Sequence, residues 1–62
     1  MNYTVGIKTN DGYVVIMVKN VHVIIEQENG WYFERNDNNE ELTTLLFVSR
    51  ENMLYYNLDA DV

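Results

Sequence analysis

The chain of 62 residues contains no cysteine and no proline. Without cysteine there is no disulfide, no thiolate ligand and no thiol redox chemistry. Histidine occurs once, at His22, and serine once, at Ser49. One imidazole is too little for a histidine-based metal site. The three glycines stand apart at positions 6, 12 and 30, which excludes a glycine-rich phosphate loop. Basic residues are scarce as well, four against ten acids, giving a net charge of −6. Such a surface repels nucleic-acid phosphates and is drawn to basic partners. The longest apolar run, Tyr13 to Val18, falls far short of the ~20 residues of a spanning helix. The first fifteen residues alternate polar with apolar and lack the basic start of a signal peptide. These features lead us to expect a soluble protein of the cytoplasm, with no membrane partner.

No linker or low-complexity tract interrupts the chain, so residues 1–62 are read as a single β domain. A chain this short buries only about 60% of the surface its unfolded form exposes. Domains of that size usually need a staple, and with no disulfide or metal available a partner subunit is left. The 47% hydrophobic content fits self-association.

The stretch from Val21 to Arg35 organises the rest. It reads as two strands joined at Asn29-Gly30, with a type I′ turn expected there. Around this hairpin the segments are short, with turn signals about every ten residues. Asn2 to Thr9 alternates Tyr3, Val5 and Ile7 against Thr4, Gly6 and Lys8. Asn10-Asp11-Gly12 is a turn, with Asp11-Gly12 its expected positive-φ pair. Tyr13 to Val18 follows, then a break at Lys19-Asn20, then strands over Val21 to Glu28 and Trp31 to Arg35. Asn36 to Glu40 is a polar loop. Glu41 to Val48 reads as a strand, with a short helix over Glu40 to Phe47 as the alternative. Ser49 to Asn52 is expected to form a 3₁₀ corner capped by Ser49. Met53 to Leu58 is the last strand, and residues 59–62 are expected to fray. The predicted fold is all-β: a meander of five to six antiparallel strands, forming a bent sheet or a small, partly open barrel of SH3-like size.

Tyr13 to Val18 is apolar at every position, so it cannot be a strand with one wet face. Either it lies centrally, covered on both sides, or one face meets a second subunit. We expect a homodimer using Val14, Ile16 and Val18, with Trp31 and Tyr55 assisting.

The chemistry-bearing residues do not assemble into a motif. His22 has no evident orienting partner, and no nucleophile elbow surrounds Ser49. Asp37 to Glu41 lacks the glycine and terminal glutamate of a calcium-binding loop. We therefore expect no enzyme activity, no cofactor and no metal. Glu26, Glu28 and Glu34 project from one hairpin, with Asp37, Glu40 and Glu41 beyond its open end. These six carboxylates are the candidate partner-binding residues, and in a row they would imitate the phosphates of a nucleic acid. Trp31, Tyr32, Phe33, Tyr55 and Tyr56 lack the basic surroundings of a base-stacking platform, so they read as core and protein interface.

The turns NDG at 10–12 and ENGWYF at 28–33, the ending SRENMLYYNL at 49–58, and the acidic composition resemble small phage- and prophage-encoded β-proteins of the host-defence-inhibitor type. The resemblance is one of style over most of the length and carries no diagnostic motif, so it transfers no functional residue. It implies a non-catalytic protein that binds and blocks a bacterial host protein in the host cytoplasm. The alternative it implies is a structural or assembly part of a phage particle.

Overall fold

A computed structural model describes residues 1–60. The chain is all-β, with six antiparallel strands: β1 (Tyr3–Thr9), β2 (Gly12–Val18), β3 (Val23–Gln27), β4 (Gly30–Asn36), β5 (Leu42–Ser49) and β6 (Met53–Leu58). They form two three-stranded sheets, in the orders β2-β1-β6 and β3-β4-β5. The bent-sheet expectation holds, and the barrel does not close. Glu41 to Val48 is strand and not helix, as its threonine pair and Phe47-Val48 favour.

Both two-residue hairpins have the same build. In each, a glycine comes just after the two central residues, where the next strand begins. The closing pairs are Thr9 with Gly12 and Gln27 with Gly30. Gly12 has φ +143° and Gly30 φ +150°, whereas Asp11 and Asn29 do not have positive φ. The turns are therefore not type I′. Their centres are Asn10-Asp11 and Glu28-Asn29, one residue earlier than the sequence reading placed them. Glycine at the fourth position is the preference of a type I turn.

The chain changes sheets at two corners. At the first, Asn20 takes φ 62° and donates its N–H to Asn2 Oδ1 at 3.1 Å. Val21 then exchanges backbone hydrogen bonds with Met1, both 2.8 Å, which ties it to the first sheet. The next residue belongs to the second sheet. His22 donates its N–H to Glu34 O, and its Nδ1 accepts from the Asn36 N–H, each at 2.8 Å. At the second corner, the Asn52 N–H donates to Ser49 O at 3.0 Å, closing the turn over Arg50 to Asn52. Ser49 does not cap this turn; its Oγ is buried without a partner.

Where the sheets meet, Val5, Val18, Val21, Phe33 and Val48 form the buried core. Phe33 presents its ring edge-on to Tyr3 and Tyr56, with centroids 6.0 and 5.7 Å apart. Beyond this junction the sheets diverge. The Cα extents are 39 × 32 × 14 Å and the radius of gyration is 12.1 Å, against about 10.6 Å for a compact chain of this length. The accessible surface is 4593 Å², above the roughly 4,200 Å² typical of this mass. The chain is thus a thin, open plate with a small core. Asp59, expected to fray, is held: its N–H donates to Asn2 O at 2.9 Å and its Oδ1 accepts from Thr4 Oγ1 at 2.7 Å. Residues 61–62 of that expected tail lie outside the described residues.

Candidate interaction surfaces

The strand alternation sorts the residues of the first sheet into two faces. Val14, Ile16 and Val18 pair with Ile7, Val5 and Tyr3 on the side that carries the core. Tyr13, Val15 and Met17 lie on the outer side, where the β1 residues are Thr4, Gly6 and Lys8. β2 is an edge strand, not a central one. Tyr13 is 66% exposed and Met17 59%.

The expected dimer residues therefore do not share one surface. Val18 is enclosed within the chain, 8% exposed, and has nothing to offer a second copy. Ile16 packs against the core, and Val14 beside it is exposed. Trp31 also packs against the core, and the Arg50 guanidinium covers its ring at 4.6 Å from the centroid. Tyr55 lies on the opposite, outer face. Its ring sits over Gly6 so closely that a β-carbon there would collide with it. Most of the free apolar surface on β2 is on the Tyr13, Val15 and Met17 side; of the Val14, Ile16 and Val18 side only Val14 is exposed.

The six candidate carboxylates do not form a row either. Glu34 is only 8% exposed, and its Oε2 is buried without a hydrogen-bond partner. Glu26 accepts from Arg50 Nη2 at 2.9 Å, so its charge is balanced within the chain. Glu28 is exposed beside it. Asp37 is an organiser of its own loop: its Oδ1 accepts from the N–H groups of Asn39 at 2.8 Å and Glu41 at 3.1 Å. Glu40 and Glu41 are exposed in that loop. β4 separates the two groups, and its length puts them about 20 Å apart. With Glu34 withdrawn between them, a continuous phosphate-like array is broken.

Arg50 is the residue that sequence reasoning missed. Besides Glu26 and Trp31, it donates to Gln27 O at 2.7 Å and, through Nε, to Glu28 O at 3.2 Å. It therefore clamps the β3–β4 turn onto the β5–β6 corner. The only available signal was its rarity, since Arg50 is one of four bases in the chain. His22 sits at the sheet-switching corner, and its Nδ1 is engaged by the Asn36 N–H. Among the described residues, no group of three His, Cys, Asp or Glu side chains gathers as a metal site, and no helix is long and apolar enough to cross a membrane. Comparison with protein-family models, with curated proteins and with solved structures finds no match.

Proposed function

We propose that this chain is a non-catalytic binding protein that works by occupying the surface of another protein. The observation that supports this reading is the exposed apolar outer face of the first sheet, with Tyr13, Val15 and Met17 standing free on a strongly acidic molecule. Exposed apolar surface rimmed by charge is the usual composition of a protein-binding patch. On this reading the partner offers an apolar surface to Tyr13, Val15 and Met17, and basic groups are drawn to it by the chain's net charge of −6. The biological setting we propose is that of a mobile-element protein in the cytoplasm of a bacterial host, blocking a defence or nucleic-acid-processing protein. A part in phage-particle assembly is the second reading, favoured by the unpaired β2 edge, which suits addition to a larger β structure.

The deciding experiment is affinity capture from host lysate with the wild-type chain and with Tyr13→Ser/Met17→Ser. The wild type should retain one host protein, lose it as salt rises, and lower that protein's activity when added back. The double variant should do neither. Capture unaffected by the substitutions, or a captured protein whose activity is unchanged, defeats the inhibitor reading. Recovery of the chain in purified phage particles supports the second one.

A further inference from the structure

Among the described residues, the β2 edge of the first sheet carries backbone groups that pair with nothing. The register shows this. The Asp59 N–H donates to Asn2 O, one step beyond the Tyr3–Leu58 pair. In an antiparallel sheet, alternate residues of a central strand bond to alternate neighbours. Asn2, Thr4 and Gly6 therefore bond towards β6, as does Lys8, whose N–H donates to Asn52 O at 2.8 Å. Tyr3, Val5, Ile7 and Thr9 are left to bond β2, through their partners Val18, Ile16, Val14 and Gly12. The N–H and C=O groups of Tyr13, Val15 and Met17 point away from the sheet. Among the described residues, no strand pairs with that side of β2.

This edge lacks the devices that normally block pairing. Gly12 to Val18 contains no charge, no proline and no bulge. The other three edges are protected. β6 and β5 each carry a bulge in their pairing, where Leu54 and Leu45 are the extra residues. β3 contains Glu26, with Glu28 adjoining it.

We propose that two copies pair β2 to β2 across a two-fold axis through Val15, making one continuous six-stranded antiparallel sheet. Val15 then faces Val15 of the second copy, and Tyr13 faces Met17 in both directions. Every outward N–H and C=O of these three residues finds a partner. The register also places Asp11 of each copy opposite Lys19 of the other, so the ends of the interface bring opposite charges together on molecules that otherwise repel. The dimer uses the outward backbone groups of Tyr13, Val15 and Met17, whereas the function proposed above uses their side chains on the flat of the sheet, so pairing leaves that patch exposed and doubles it.

Sedimentation at high micromolar concentration should give twice the 7.3 kDa chain mass. Amide exchange should show protection at Tyr13, Val15 and Met17 rising with concentration, by about tenfold or more, while Val14 and Ile16 are protected throughout. Val15→Pro removes an outward donor that the single chain does not use. It should keep the fold and stay monomeric. The register has its own test, which does not depend on that variant folding. Asp11→Lys alone places two lysines together at each end, and Lys19→Glu alone places two acids together; each should weaken the dimer about tenfold. An equimolar mixture of the two single variants restores opposite charges at both ends and should recover association. A monomer at all concentrations overturns the proposal. So does a dimer in which those three amides exchange freely, or a mixture no tighter than its components.

Discussion

The guanidinium of Arg50 lies over the indole of Trp31, 4.6 Å from the ring centroid, while its Nη2 bonds Glu26 and the Gln27 carbonyl. One side chain thereby links two turns that are distant in sequence. The ion pair is largely exposed, so its charge attraction is weak. The planar fork and the ring stacking are what lysine cannot reproduce. Arg50→Ala should cost about 1–2 kcal/mol, and Arg50→Lys should recover less than half of that. Urea denaturation with an unchanged slope checks both values.

The two hairpin glycines should respond differently to the same substitution. A β-carbon at Gly12 meets nothing within 4 Å, so Gly12→Ala carries backbone strain alone. At Gly30 the β-carbon runs into the Val48 carbonyl oxygen and comes within 2.9 Å of the Ser49 Cα, both backbone atoms of β5. We expect about 1–2 kcal/mol for Gly12→Ala, and about 3 kcal/mol or more for Gly30→Ala, where strand β5 must move. Equal losses at the two sites, read by thermal unfolding, would contradict the close approach.

Glu34 is a carboxylate with one buried oxygen that has no hydrogen-bond partner among the described residues. Leaving a buried polar atom unpaired costs about 1–3 kcal/mol. Glu34→Met keeps the length, removes the orphan atom and should raise stability by about 1 kcal/mol, visible as a melting point several degrees higher. A lower melting point would show that the carboxylate finds a partner in solution.

Glu40 sits at φ 63°, in the left-handed region where side chains other than Asn, Asp and Gly are strained. Glu40→Gly relieves that strain, and the gain offsets glycine's greater freedom in the unfolded chain. Stability should rise by up to about 1 kcal/mol. Glu40→Val should lower it, because a β-branched residue fits that region worst. Chemical denaturation of the three proteins side by side orders them.

The strands themselves were legible because their signals are local. Two-residue alternation and turn residues identified each strand to within a residue or two, since side-chain direction along a strand depends only on position. The candidate site was less so. Glu34 follows the alternation of an exposed residue, yet it is buried. The expected dimer set mixed Val18 with Tyr55, which lie on opposite faces, because sequence shows two apolar faces on Tyr13 to Val18 but not which one meets the core.

By itself the sequence determined an all-β chain of five to six strands, acidic and short of internal staples, with one strand too apolar for a single wet face. The tertiary structure decided which strands share a sheet. Asn20 and the Arg50–Asn52 turn send the chain from one sheet to the other, and β6 returns to lie beside β1. That choice placed β2 at an edge and left its outward backbone groups unpaired. The hairpin partners follow from local turn signals, but the β1–β6 pairing joins strands far apart in the chain, and Tyr3 and Tyr56 meet on Phe33 where it forms.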